Sequence, residues 1–326
     1  MKFEPKHFAP LNAGGIQLDE QGTVAFKASP LAEDTYLYPL RTILALNVAM
    51  ATNRPLLISG EPGSGKSTLA KNAAAVLGRW YYKETITSRT RASDLLWTFD
   101  ALRRLSDAST PGQPLLDKRY YVEPGILWWA FDPKSARQRG IEGEIPKQQQ
   151  ARESGEQRGG GSDDQAIVLL DEIDKADPDV PNDLLEPFDL KKFTVRETND
   201  TVEAEREVLL ILTTNGEREM PPAFLRRCVT LTLDAPDAEW FVRIANQRFG
   251  ENHASLHREV AAEVMKLRAA AAHAGVRQPG TGEYLDALQA CRHLDISPKS
   301  QAWSGVAQSA LWKHAGVPQA ADNLEQ

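Results

Sequence analysis

The residues at positions 60–67 read GEPGSGKS, and they have the types and spacing of a loop that binds phosphate groups. They fit the pattern G-x-x-x-x-G-K-[ST] in full, between an apolar run at 55–59 and a predicted helix at 67–77. Glycines let backbone N–H groups approach phosphates closely, and the start of the helix adds partial positive charge. We therefore predict a nucleotide-binding loop with these residues: Gly60, Glu61, Pro62, Gly63, Ser64, Gly65, Lys66, Ser67 and Thr68.

Two side chains of this loop add chemistry that its glycines lack. Lys66 is expected to neutralise the β- and γ-phosphates of ATP, and the Ser67 hydroxyl is expected to ligate Mg²⁺. A glycine-rich turn capped by the same two residues is the alternative interpretation. The flanking strand and helix favour the nucleotide site, because the motif requires both.

A second motif, IVLLDE at 167–172, carries two carboxylates at the end of a predicted buried strand. Parallel strands present their carboxyl ends to ligands. We predict that Asp171 holds the Mg²⁺ and that Glu172 orients and deprotonates the attacking water. Strand ends often carry solvated acids, but the complete phosphate loop in the same predicted sheet favours the catalytic interpretation.

Polar residues also follow a third predicted strand, at 208–213. The amide of Asn215 can hydrogen-bond both a γ-phosphate and the water beside it, whereas Asn-Gly is also an ordinary turn pair. Arg226 and Arg227 stand at the end of a short predicted helix, where an arginine can also cap the helix carbonyl groups. The spacing leaves both alternatives open.

The elements that must position these residues alternate between helices and buried strands. Apolar residues at helical spacing predict a helix over 36–53, and continuous apolar runs predict buried strands at 55–59, 166–170 and 208–213. An alternating strand is predicted at 229–233. This order predicts an α/β fold with a P-loop NTPase parallel sheet sandwiched by helices.

Several helices predicted after the sheet indicate a second, smaller domain. They are predicted at residues 238–249, 256–274, 281–291 and 303–315. Glycine, proline and serine separate them, as in a small helical bundle. We predict an α/β nucleotide-binding domain at 1–236 and an α-helical lid domain at 237–326.

Two stretches are predicted as insertions in the first domain. Aromatic and β-branched residues around Pro124-Gly125 predict a hairpin and a helix start within 118–130. Residues 133–165 contain almost no large apolar side chains. Their composition predicts a mobile surface loop that is dispensable for folding, with partner binding as the alternative role.

Length and composition limit the class of protein. The 326 residues, 41% hydrophobic and 25% charged, predict a soluble protein of two domains. The apolar runs are too short for a bilayer span and the start, MKFEPKHFAP, has no apolar signal core, so we expect a cytoplasmic location without membrane insertion. The net charge of −7 argues against a broadly basic nucleic-acid surface. Cys228 and Cys291 match no metal or disulfide pattern and are expected to be reduced thiols.

The motifs taken together resemble those of the MoxR and dynein-related branch of AAA+ ATPases. GEPGSGKS, LLDEIDKAD, LTTNGERE and PPAFLRRC occur in the family's order, and the resemblance extends over residues 36–288. It implies that Asn215 senses the γ-phosphate, and that Arg227, or its neighbour Arg226, acts in the site of an adjacent subunit. It also implies ATP and Mg²⁺ as cofactors and a homo-oligomeric ring, which we expect to be hexameric.

The resemblance also implies two hairpins on the face that engages substrate. One includes 118–130, and the other is expected at 191–207. The family's lid carries an arginine in a Ser-Pro-Arg-Ala segment, and here Glu283 stands in its place. Arg277 and Arg292 are the candidate substitutes, and weak sensing of the nucleotide by the lid is the alternative.

The leading functional hypothesis is a ring motor that hydrolyses ATP and remodels or activates a protein partner, because an arginine acting in trans has no purpose in a monomer. Members of this branch often work with a von Willebrand A-domain protein. One alternative is a nucleotide-dependent switch or scaffold in a bacterial multi-protein conflict or defence system. A DNA-associated subunit is another, which the acidic charge balance disfavours.

Overall fold

The structure is a computed structural model that describes Phe8 and residues 23–27, 35–110, 115–153, 155–157 and 163–311. Its strands are β1 (Thr23–Lys27), β2 (Thr35–Pro39), β3 (Leu56–Ser59), β4 (Trp80–Thr85), β5 (Trp97–Phe99), β6 (Val122–Pro124), β7 (Glu156–Gln157), β8 (Gln165–Asp171), β9 (Lys192–Val195), β10 (Asp200–Glu203), β11 (Glu207–Thr214) and β12 (Val229–Thr232). Its α-helices are α1 (Leu40–Thr52), α2 (Lys66–Leu77), α3 (Ala92–Leu96), α4 (Ala101–Ala108), α5 (Ile126–Phe131), α6 (Pro133–Arg137), α7 (Val180–Asp183), α8 (Leu185–Leu190), α9 (Pro222–Leu225), α10 (Ala238–Phe249), α11 (Ala254–His273), α12 (Thr281–Leu294) and α13 (Trp303–Val306).

The described residues divide into two compact units. The sheet unit lies within Met1–Ile16, Leu40–Ser59 and Ala70–Leu231. The helical unit lies within Gln17–Pro39, Gly60–Leu69 and Thr232–Gln326. The phosphate loop therefore belongs to the helical unit, and the predicted catalytic carboxylates belong to the sheet unit.

A six-stranded sheet in the order β12-β3-β11-β8-β4-β7 organises the sheet unit. β3, β11, β8 and β4 run parallel, and β7 pairs antiparallel with β4 at the edge. The central strands β8 and β11 are buried along almost their whole length, as their continuous apolar sequences predict. This sheet with flanking helices, followed by a helical C-terminal region, confirms the predicted fold class.

An aromatic cluster fills one side of the sheet unit. All six residues of α5 are buried, and Trp128 and Trp129 are among the largest fully buried side chains. Gly125 precedes this helix, and a Cβ there would lie 2.5 Å from the Leu95 carbonyl group, so a side chain at this position would clash. The hairpin predicted within 118–130 is wrong in its pairing. β6 pairs with β5, which lies before α4, and only the helix start matches the prediction.

The second predicted insertion is also ordered where the structure describes it. α6 covers its first residues, and β7 joins the sheet through β4. Ala136, Arg139, Ile145 and Ala151 are buried. The prediction of a mobile loop is therefore wrong for 133–153, because two alanines, one isoleucine and a hydrogen-bonded arginine bury parts of a segment that is poor in large apolar residues.

The helical unit packs α10, α11 and α12 around one core. Phe241, Val264, Tyr284 and Leu288 are central to this core. The predicted helix at 36–53 is wrong at its start, since residues 35–39 form β2, which pairs antiparallel with β1. The last predicted helix, at 303–315, forms α13 and a π-helical turn, Ala307–Leu311, and its residues 312–315 lie outside the described residues. Within the described ranges, every helix is too short or too polar to span a lipid bilayer.

Candidate functional site

The phosphate loop has a backbone that only glycines adopt readily. Gly63 and Gly65 have φ values of 81° and 92°. Lys66 is buried, and its ammonium lies 2.7 Å from the Gly60 carbonyl oxygen and 2.9 Å from that of Glu61. Two carbonyl groups of the loop thus bind the Lys66 ammonium.

Three further contacts fix the loop within the helical unit. The Thr281 N–H at the start of α12 donates to the Gly63 carbonyl oxygen over 3.2 Å. A Cβ on Gly280 would lie 2.9 Å from the Gly63 Cα, so the two backbones approach too closely for any side chain there. The Glu61 carboxylate accepts a hydrogen bond from Arg268 on α11. Sequence reasoning missed Arg268, since no motif includes it.

Glu283, at the position where the resemblance implies an arginine, caps α12. One of its carboxylate oxygens accepts the Gly280 N–H at 3.1 Å, and the other lies 2.9 Å from the Arg277 guanidinium. Arg292 instead stacks 4.7 Å from the centroid of the Phe249 ring. Both arginines proposed as substitutes therefore have partners within the helical unit.

The carboxyl ends of β3, β11 and β8 lie at one edge of the sheet. Ser59, which directly precedes the phosphate loop, pairs with Thr214, and Leu170 pairs with Leu212. Asp171 ends β8 at this edge and is buried. The register therefore brings the end of the strand before the phosphate loop, the end of β11 and the predicted metal ligand to the same side of the sheet unit.

Asp171 is held by a hydroxyl and by a cation. The Thr213 hydroxyl donates to one carboxylate oxygen over 2.5 Å, and the Lys83 ammonium lies 2.9 Å from the other. The Lys83 contact shows that this carboxylate is placed to receive a positive charge. Carboxylate and hydroxyl oxygens are the donors that Mg²⁺ prefers, so Asp171 fits the predicted role.

Glu172 lies beside Asp171 in a left-handed backbone conformation, with a φ of 63°. Its N–H donates to the Thr213 hydroxyl, so Thr213 contacts both acids. The Asn215 amide lies 3.3 Å from one oxygen of the Glu172 carboxylate, and the Lys175 ammonium lies 2.6 Å from the other. The hydrogen bond to Glu172 raises the pKa of Lys175 above its ordinary value. The structure thus brings Asp171, Glu172 and Asn215 together.

Asp174 holds the turn that carries Asn215. Its buried carboxylate accepts the N–H groups of Asn215 and Glu217, each over 3.0 Å. Sequence reasoning missed this residue, although it follows Glu172 by two positions and is one of the acids in LLDEIDKAD. Its two bonds orient the amide that contacts Glu172.

Arg226 and Arg227 directly follow α9, and both are exposed. The Arg227 side chain is about half exposed and lies 3.7 Å from the Asp189 carboxylate. The carbonyl groups of residues 226–228 all accept hydrogen bonds from the Arg54 guanidinium. Arg54, another residue that sequence reasoning missed, thus holds the backbone that carries the two arginines.

Comparison with known protein families agrees with this geometry. The AAA domain of the dynein-related subfamily matches residues 55–228, just over half of the chain. The matched range begins beside β3, includes the phosphate loop and both acids, and ends directly after Arg227. No curated protein matches the chain. With its family's sheet, loop and strand-end carboxylates in place, the chain belongs to the dynein-related subfamily of AAA domain ATPases.

Proposed function

We propose that the chain is an ATP-hydrolysing subunit of a MoxR-like, hexameric ring motor that remodels or activates a protein partner. The observation that supports hydrolysis best is the cluster at the sheet edge, in which Asn215 and Lys175 hold the two oxygens of Glu172. In this proposal the buried Asp171 binds the metal ion, and the adjacent Glu172, whose carboxylate is held in place, activates the water.

Nucleotide binding is assigned to the loop residues Gly60 to Thr68. Lys66 would turn from the loop carbonyl groups to the β- and γ-phosphates, and backbone N–H groups would donate to their oxygens. Ser67 and Asp171 would hold Mg²⁺, which neutralises phosphate charge when bound. The residues 237–326 act as the lid in this proposal.

Hydrolysis is assigned to groups of two subunits. Glu172 would accept the proton of the attacking water, and the Asn215 amide would bind the γ-phosphate and that water. The exposed Arg227, with Arg226 as its neighbour, would reach the site of the adjacent subunit. There its positive charge would stabilise the charge on the transferring phosphoryl group.

The partner assignment rests on the resemblance to the MoxR branch. In that branch a von Willebrand A-domain protein often recruits the target, and hairpins of the ATPase are expected to engage substrate. β9 and β10 form such a hairpin, and β5 and β6 pair in the region before α5. We assign both regions to the substrate-engaging face.

Steady-state ATP hydrolysis tests the proposal and separates a motor from a switch. The parent should turn over ATP and should do so faster with its partner. Lys66→Ala should abolish ATP binding, whereas Glu172→Gln should bind ATP and not hydrolyse it. Glu219→Gln, which changes an exposed acid near Asn215, is the matched control and should behave as the parent. Parent-like hydrolysis by Glu172→Gln would contradict the assignment.

A further inference from the structure

Arg268 on α11 joins the phosphate loop to the turn before α12. Its guanidinium lies 2.7 Å from the Glu61 carboxylate and donates to the Pro279 carbonyl oxygen, also over 2.7 Å. The side chain is only 6% exposed. All of these residues lie within the helical unit.

Packing alone does not explain an arginine at this position. α11 turns Val264, Leu267 and Ala271 into the core on the same face as Arg268. A guanidinium on such a face has a large desolvation cost, which is offset only where hydrogen bonds and an opposite charge satisfy it. Arg268 has both partners, and one of them is a residue of the phosphate loop.

Glu61 connects Arg268 to the lysine that binds phosphate. Its carboxylate contacts Arg268, and its backbone oxygen accepts the Lys66 ammonium at 2.9 Å. When Lys66 turns to a nucleotide phosphate, the Glu61 carbonyl group loses this donor. The contacts of Glu61 therefore differ between the two states of the loop, which is the condition for coupling two sites.

We propose that Arg268 is a positioning residue that couples nucleotide occupancy of the phosphate loop to α11 and to the turn before α12. The inference rests on the proposed function of the loop. The proposal also gives Arg268 a contact with the phosphate loop that the resemblance implies for an arginine at the position of Glu283. Arg277 pairs with Glu283 and Arg292 stacks on Phe249, whereas Arg268 contacts the loop itself.

A double-mutant cycle on nucleotide affinity tests the coupling. The Kd of a non-hydrolysable ATP analogue with Mg²⁺ is measured for the parent, Arg268→Met, Glu61→Gln and the double variant. Each single change should weaken binding about five-fold or more, at the lower end of measured couplings. The affinity of the double variant should be no lower than that of the single variant with the lower affinity, because both changes remove the same ion pair. Arg268→Lys should recover part of the affinity, and Lys266→Met, on the exposed side of the same helix, should bind as the parent does.

Fold-changes that multiply in the double variant, or parent-like binding by Arg268→Met, would overturn the proposal. Hydrogen exchange gives a second measurement, which a purely structural role of Arg268 would leave unchanged. The analogue should slow exchange in α2 and α11 of the parent, and in Arg268→Met the slowing should persist in α2 and disappear from α11. Should Arg268→Met fail to fold, Glu61→Gln gives the same readout, since the Glu61 side chain is 40% exposed. Slowing of α11 in that variant as in the parent would overturn the coupling.

Failure of the coupling and failure of the proposed function give different results. Nucleotide binding by the parent that Lys66→Ala abolishes establishes the loop as the nucleotide site. If independent effects of Arg268 and Glu61 accompany that result, only the coupling is wrong. A parent that binds no nucleotide contradicts the proposed function itself.

Discussion

The Lys175 ammonium lies 2.6 Å from the Glu172 carboxylate, on the oxygen that Asn215 does not contact. Lys175 stands three residues after Glu172, at the end of a short 3₁₀ helix, Ile173–Lys175. A γ-phosphate that draws the Asn215 amide toward itself would release one oxygen of Glu172. Lys175 would then still hold the other oxygen and keep the carboxylate oriented toward the water.

Lys175→Met should therefore lower kcat with little change in KM. Loss of the contact leaves the carboxylate free to rotate, and small displacements of a catalytic group cost about 10- to 100-fold in rate. Lys175→Arg keeps a donor and should recover part of the rate. Steady-state kinetics at saturating ATP measure the effect, and an unchanged kcat in Lys175→Met would show that the lysine does not orient Glu172.

Arg54 should matter for turnover although it lies in no recognised motif. Its guanidinium caps the carbonyl groups of residues 226–228 and so fixes the backbone that carries Arg227. Arg54→Ala should lower kcat as Arg227→Ala does, and ATP affinity should stay near that of the parent. Arg41→Ala, an exposed change on α1, is the control. A parent-like kcat for Arg54→Ala, measured with the protein at ring-forming concentrations, would contradict this role.

The segment 133–153 should contribute to stability, in contrast to the expectation from its composition. Arg139 is buried, donates to the carbonyl groups of Val122 and Gln149, and lies 2.8 Å from the Glu123 carboxylate. Arg139→Ala leaves the buried Val122 carbonyl group without this donor, which costs about 2 kcal/mol. Denaturant unfolding measures the change. Arg152→Ala, an exposed position of the same segment, should unfold as the parent does, and equal stability of the two variants would show that Arg139 is dispensable.

Thiol reactivity should separate the folded chain from the unfolded one. Burial raises the pKa of Cys228 to about 12, and burial also raises that of Cys291. At pH 8 only about one molecule in ten thousand would then carry Cys228 as the reactive thiolate, and this fraction should rise as the pH approaches 12. A chromogenic disulfide reagent should label neither cysteine of the native protein at pH 8 and both after denaturation. Rapid labelling of native Cys228 at that pH would contradict the burial.

The sequence predicted those parts of the site that depend on local order along the chain. β3, α2, β8 and β11 lie within a residue or two of their predicted positions, because continuous apolar runs and a complete glycine motif define them. β2 was predicted as helix, since YLYP continues into the apolar residues of α1 and its short apolar pattern fits either period.

Contacts between distant parts of the chain were not visible in the sequence. Arg268 and Glu61 are 207 residues apart, and Arg54 and Arg227 are 173 apart. Arg268 stands at an unremarkable position of α11 and Arg54 in the short connection between α1 and β3, so only the folded backbone identifies their partners. The burial of Arg139 was missed for a different reason, because composition counts a charged side chain as solvated.

Complementation between two inactive variants tests the ring motor most directly. Arg227→Ala and Glu172→Gln should each hydrolyse almost no ATP, since an arginine finger contributes about 10³ to 10⁵ in rate and the base is required for turnover. Mixed at a concentration where subunits assemble and exchange, they form interfaces with an intact Glu172 on one subunit and an intact Arg227 on its neighbour. Activity should return in the mixture. Confirmed mixed oligomers without any activity, or a specific activity of the parent that persists unchanged down to a proven monomer, would contradict the account.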